Sequence, residues 1–212
     1  MTRSSPATLG RTRWEGPAHI CAFFRGRDEE YEILLPFLKE GLDCGDKGIL
    51  IADDRERDEH AHRLNGAGVD VRGCERRGQL TLHGWGDTYL RTGGFNQHDM
   101  LGLVDEILGG CKRQGFECTR LWGNMAWALH DFPGTDDLVE YESRANGILA
   151  KYHNCVVCGY DLTKFSASIV MDVMRTHPLV FVGGMLGVNP FYVPPDEFLR
   201  ELDARKTTSG RG

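Results

Sequence analysis

His19 and Cys21 stand two positions apart at the head of an apolar run reaching Phe24. On a strand, that spacing puts an imidazole and a thiol on one face. Two such ligands suit zinc or a haem iron, but a convincing zinc site takes three or four. His83 and Cys158 are the further candidates, and no second pair has standard metal-ligand spacing. Cys155 and Cys158 form a CxxC, yet strand positions three apart face opposite ways, which argues against a zinc or thioredoxin-like motif. Glu140 and Glu142 flank Tyr141 in a helical segment, with Glu142 directed to the sheet and Glu140 outward. Acid–base work by Glu142 or by His177 needs a shared cleft. A solvated helix face is the plainer expectation, because Glu is so rarely buried. His60 and His62 read as an exposed helix, and His177-Pro178 closes the last long helix and opens a strand.

Other catalytic signatures are absent from the sequence. There is no Gly-x-Ser-x-Gly elbow and no GxGxxG after a strand. The loop Phe24-Arg-Gly-Arg-Asp-Glu-Glu-Tyr stands where a phosphate-binding fold would place several glycines and a lysine. It has Gly26 alone, followed by Asp28, Glu29 and Glu30, and carboxylates there repel a triphosphate while complementing a helix N-terminus. A P-loop nucleotide hydrolase is therefore not expected, although a degenerate nucleotide binder stays open. In contrast, Leu121-Trp-Gly-Asn-Met-Ala-Trp carries two indoles and a thioether out of a buried strand. Such groups line apolar small-molecule pockets, or fill the core beneath a loop.

The elements that position these groups follow from hydrophobic periodicity. Short runs at 20–24, 48–52, 80–85, 120–124, 155–160 and 179–184 are apolar nearly throughout, as strands covered on both faces should be. Amphipathic segments at 28–42, 56–66, 98–114, 135–152 and 164–177 alternate with them. Pro36 inside the first of these predicts an interruption, and Gly45 predicts its stop. Strand and helix in alternation define an α/β fold, a three-layer sandwich with a mostly parallel central sheet. Ligands of such sheets bind beyond the carboxyl ends of the strands. The Ser-, Gly- and Pro-rich residues 1–17 and residues 203–212 read as flexible tails around one domain at 18–202.

With 25 Lys+Arg against 31 Asp+Glu, the formal net charge is −6, which disfavours direct nucleic-acid binding. No apolar run approaches the ~18 residues of a membrane span, and the first residues have no secretory h-region. Seven cysteines, an odd number, fit free thiols in the cytoplasm.

Several of these stretches also resemble a known family. They are His19-Ile-Cys-Ala-Phe-Phe, Leu35-Pro-Phe-Leu-Lys-Glu-Gly-Leu and Gly78-Gln-Leu, with Tyr89, Phe95 and Met100 spaced behind them. Glu140-Tyr-Glu, Cys158-Gly-Tyr-Asp, Arg175-Thr-His-Pro and Asn189-Pro-Phe-Tyr-Val-Pro-Pro-Asp-Glu-Phe-Leu complete the set. Over residues 18–202 the chain is similar to the MEDS domain, named for methanogens, methylotrophs and the sensory part of the dichloromethane repressor. The resemblance implies a RecA/KaiC-like sheet without its phosphate loop, a degenerate P-loop NTPase fold with a non-catalytic sensory role. It implies a small hydrocarbon derivative as ligand and signalling toward transcription regulation.

At 212 residues an appended output region is not expected, so a separate kinase or transcription regulator is the anticipated partner, with a homodimer as a further candidate. The expected pocket walls are Phe24, Trp85, Trp122, Met125, Trp127 and Tyr160, with His19, Cys21 and Arg120 as polar anchors. No cofactor is expected; zinc or haem on His19, Cys21 and His83 is the alternative. Phe191 and Tyr192, stiffened by Pro190, Pro194 and Pro195, form either a strap that closes the core or a partner surface.

Overall fold

The computed structural model describes residues 6–209. Among them, a seven-stranded sheet is built from β3 (Ala18–Phe24), β4 (Lys47–Ala52), β5 (Leu80–Gly84), β6 (Thr119–Asn124), β7 (Asn154–Asp161), β8 (Leu179–Val182) and β9 (Met185–Val188). Their order is β5-β4-β6-β7-β3-β8-β9, parallel except for the antiparallel edge pair β8–β9. The four central strands β4, β6, β7 and β3 are buried at every residue, which is why they read as continuous apolar runs.

Three helices cover one face: α1 (Gly26–Cys44), α2 (Arg57–Gly66) and α3 (Val71–Arg76). Four cover the other: α4 (Gln97–Arg113), α5 (Leu138–Leu149), α6 (Ala167–Thr176) and α7 (Pro195–Ser209). Each strand thus divides its side chains between two cores. Ile20, Trp122, Cys155 and Val157 go to the α1 side, and Cys21, Leu121, Val156 and Cys158 to the α5 side. The CxxC cysteines do face opposite ways.

Pro36 does not interrupt α1, which runs unbroken for 19 residues. Its stripe of Ile33, Leu34, Phe37, Leu38 and Leu42 is buried on the sheet, and that packing offsets the lost backbone donor. Gly45, at φ 89°, ends the helix as expected.

The flexible leader is corrected over residues 7–14. These form a hairpin of β1 (Ala7–Leu9) and β2 (Thr12–Trp14). Leu9 is fully buried, and Thr8 binds Glu40 of α1 through both its N–H (2.8 Å) and its hydroxyl (2.7 Å). The tail reading is corrected likewise, since α7 continues through residues 203–209; the portions of both tails at 1–5 and 210–212 lie outside the described residues. Phe198 of α7 is fully buried, so this segment closes the core. Phe191 stays 57% exposed. The short strand β9, exposed at all but Leu186, lies outside the apolar runs read from the sequence; Gly183 and Gly184, both at positive φ, make the tight turn that leads into it.

Candidate functional site

Over the carboxyl ends of β3, β4, β6 and β7 opens a cleft of about 260 Å³. In a RecA-type sheet this is where a nucleotide would lie, its phosphates on the N-terminus of α1. Here the chain's own carboxylates hold that place. The Gly26 N–H donates to Asp161 Oδ1 at 3.1 Å and the Arg25 N–H to Glu29 Oε2 at 2.7 Å. Asp161 Oδ1 also accepts from the Thr163 N–H (2.9 Å) and hydroxyl (2.7 Å). Burial works against ionisation of Asp161, but these donors outweigh it and hold the carboxyl below its usual range. The cations around the cleft are partnered as well: Arg27 by Glu56 (2.6 Å), Arg55 by Asp53 and Lys164 by Asp161 (3.5 Å).

Glu30 marks the floor. It is 3% exposed and accepts from Asn124 Nδ2 (2.8 Å) and Trp122 Nε1 (3.3 Å). Burial pushes its carboxyl above the usual range in spite of both donors. Between the ordinary glutamate pKa of about 4.3 and the raised one, the folded chain binds more protons than the unfolded, so stability falls as pH rises through that window. Glu30→Gln keeps an acceptor without the charge and is therefore expected to exceed the wild type in stability near neutral pH. Urea unfolding at about pH 7 and about pH 4 checks it: the two proteins should converge at the lower value. A glutamine variant that is weaker at neutral pH would contradict this reading.

The nine expected pocket residues do not assemble into one site. Phe24 and Trp85 line the cleft, and the Trp85 indole donates to Asn124 O at 3.1 Å. Trp122 is fully buried on the α1 side between Phe24 and Phe37. Met125, Trp127 and Tyr160 are fully buried on the opposite side, where Trp127 stacks on Tyr89 with ring centroids 4.8 Å apart. These bulky side chains pack the two cores; they do not wall the cleft. Arg120 is corrected as an anchor. Near the amino end of β6, its guanidinium is fully buried and bound to Asp46 (2.9 Å), Glu40 (2.6 Å), Phe37 O (3.1 Å) and Pro6 O (2.8 Å).

His19 belongs to a second, wholly buried group. Its Nε2 lies 3.4 Å from Glu142 Oε2 and 3.6 Å from Cys158 Sγ, and His177 Nε2 lies 3.5 Å from the same Glu142 oxygen. Cys21, on the same strand face, gives its thiol proton to Leu179 O instead, and His83 stands on the outer strand β5. Of the alternative set His19, Cys21 and His83, only His19 joins this group. The solvated-face reading of Glu142 is also overturned: the residue is fully buried and accepts from the Tyr160 hydroxyl at 2.5 Å. Burial opposes its ionisation, yet His177, His19 and Tyr160 outweigh it and hold the carboxyl below its usual range. Burial also pushes the Cys158 thiol well up and lowers His177. The sequence signal was present in His19 and Cys158; what Glu142 and His177 lacked was any sign of burial. His60 was misjudged in the same way, since it is 2% exposed and bonded to the Tyr31 hydroxyl at 2.9 Å.

The fold class has solved counterparts. The KaiC-like protein PH0186 from the hyperthermophilic archaeon Pyrococcus horikoshii OT3 superposes with a TM-score of 0.62 at 14% identity, over 85% of this chain and 80% of that one. The molecule is thus a KaiC-like α/β sandwich, with its own carboxylates on the N–H groups at the start of α1. Within that class the family is also defined: the profile of MEDS, the methanogen/methylotroph, DcmR sensory domain, matches residues 18–178, and the chain belongs to this family. A curated relative, the transcriptional repressor DcmR of Methylorubrum extorquens (strain DSM 6343 / CIP 106787 / DM4), is 28% identical over 160 residues. That match takes in 75% of this chain and 57% of the repressor's length. The sensory character of the domain follows from the family. Among the described residues, no helix is long and apolar enough to cross a membrane.

Proposed function

We propose that the chain is a non-catalytic regulatory sensor. It takes a small, largely apolar molecule in the cleft over the carboxyl ends of the sheet and passes the response to a protein partner. The observation that carries this reading is Asp161 on the Gly26 N–H, in the place a nucleotide phosphate would need. An anionic ligand would have to displace a carboxylate that is itself held by three donors. An uncharged one meets Phe24, Trp85, Ala126 and Leu129 instead. The kinship with a transcriptional repressor supports a regulatory output, here through a regulator or kinase as a separate chain. We place the partner contact at the β9 edge, where Met185, Val188 and Phe191 stay 57–73% exposed.

Thermal unfolding of the full chain against magnesium–ATP and a series of short halogenated and aliphatic compounds tests this. A ligand at about 100 times its Kd stabilises by about 2.7 kcal/mol, a rise in Tm of about 5–10 °C. One apolar class should give that rise and ATP none, and Leu129→Glu at the half-exposed wall should abolish it without lowering the basal Tm. Stabilisation by ATP alone, or no response to any compound, would overturn the reading.

A further inference from the structure

The buried polar group on the α5 side draws on four separate elements: His19 from β3, Glu142 from α5, Cys158 from β7 and His177 from the α6–β8 junction. One donor atom from each lies within 4.8 Å of all the others. Four of the pairwise separations are 3.4, 3.5, 3.6 and 3.6 Å. The two nitrogen–oxygen separations are longer than an ordinary N–H···O bond of about 2.7–3.2 Å, while the two to sulfur are of thiol hydrogen-bond length, the Cys158 thiol donating to Glu142 Oε2. They match the edges of a tetrahedron, about 3.3–3.6 Å, around an ion with bonds of about 2.0 Å to nitrogen and oxygen and about 2.3 Å to sulfur.

The outer hydrogen bonds aim the lone pairs inward. The Asn146 amide nitrogen donates to Glu142 O, Ser143 O and Thr176 O, so its oxygen faces His19 Nδ1 at 3.1 Å. His19 Nδ1 thus has its partner in Asn146, and Nε2 is the ring nitrogen turned to the group. His177 Nδ1 donates to Val173 O at 2.7 Å, which leaves Nε2 as a lone pair. That Nε2 is fully buried, has no hydrogen-bond partner and looks onto the Glu142 carboxylate. Tyr160 occupies Glu142 Oε1, freeing Oε2 for the centre.

We propose that His19, Glu142, Cys158 and His177 form a closed, four-ligand site for a borderline-soft divalent cation, with zinc as the type. One sulfur, two imidazole nitrogens and a single carboxylate oxygen suit zinc and not calcium or magnesium. On binding, the Cys158 thiol releases its proton to solvent, and thiolate plus carboxylate balance the two positive charges in a dry interior. The ion would tie two sheet strands to α5 and to the end of α6. Haem does not fit: the cavity beside these residues holds about 20 Å³. Entry is by way of a shallow depression of about 180 Å³ bordered by Pro17, Asn154 and Pro178, with His19 in its wall. This inference is independent of which molecule the cleft takes.

The test uses the full chain, reduced, stripped with a chelator and titrated with cobalt(II) and then zinc. Expected are one cobalt per chain with tetrahedral visible bands and a thiolate-to-cobalt charge-transfer band, displacement by zinc, and a higher Tm with either ion. Cys158→Ser should abolish the charge-transfer band and weaken binding more than about 100-fold, while Cys155→Ser, on the opposite face, leaves both unchanged. Asn146→Ala should weaken binding about 10–100-fold, and it serves if Cys158→Ser does not fold. A stripped wild-type chain that takes up no cobalt, or a charge-transfer band that survives Cys158→Ser, would overturn the proposal.

Discussion

Replacing Arg120 with methionine should cost about 3–5 kcal/mol of folding stability, the usual effect of removing one partner from a buried ion pair. The guanidinium is fully enclosed, and its nitrogens are divided among two carboxylates and two backbone carbonyls. Methionine fills much of the volume but leaves Asp46, itself 4% exposed, beside a thioether, and Pro6 O and Phe37 O without this donor. Lysine keeps the charge and cannot span four acceptors in one plane, so Arg120→Lys should fall between, at about 1–3 kcal/mol. The loss should also loosen the amino-terminal hairpin, because Pro6 is tied to the sheet by this side chain. Urea unfolding followed by circular dichroism reads the energy, and amide exchange at residues 7–14 reads the loosening. A loss under about 1 kcal/mol would mean that the carboxylates re-solvate freely and the pair is dispensable.

Trp127→Ala is expected to cost a further large increment, about 3–5 kcal/mol. The indole is fully buried, stacked on Tyr89 at 4.8 Å and packed on Phe95 at 4.4 Å, with Tyr141 set edge-on to both neighbours. Truncation removes the centre of this aromatic block, which holds the loop before α4, α5 and the turn after β6 together. The same variant separates core from pocket. If Trp127 walled a ligand site, alanine would erase a ligand response at small cost to stability. As a core residue, it should lower Tm steeply and, once folded at low temperature, leave the cleft response in place. Thermal unfolding with and without the responding compound gives both numbers from one protein.

How far these features could be read in advance depends on how local their causes are. The runs at 48–52 and 120–124 stood out because both faces of a central strand are covered, and that leaves an apolar signature in consecutive residues. The stop of α1 at Gly45 and the missing phosphate loop at 24–31 were legible for the same reason, being properties of a few neighbours in the chain. The hairpin at 7–14 was not. Its order comes from Thr8 on Glu40 and from Pro6 on Arg120, contacts made 32 and 114 positions away. Composition near a terminus reports chain flexibility and says nothing of such partners.

The candidate site divides along the same line. That the turn after β3 lacks a triphosphate cradle was plain from its residue types. That Asp161 reaches the Gly26 N–H, 135 positions away in the chain, depends on β7 lying next to β3. The indoles and thioether after Leu121 are expected from sequence as pocket walls, with core filling as the alternative, and whether an indole walls a cleft or fills a core depends on which face its strand turns to which helix. His19 and Cys158, 139 positions apart, looked like isolated soft ligands. Parallel pairing of β3 with β7, and the seating of α5 and α6 across them, is what brings Glu142 and His177 to the same point. Residue type and short-range period therefore establish which groups are available and which chemistry is excluded. Strand order establishes which of them meet, because hydrogen-bonded pairing acts between segments whose separation along the chain leaves no trace in local pattern.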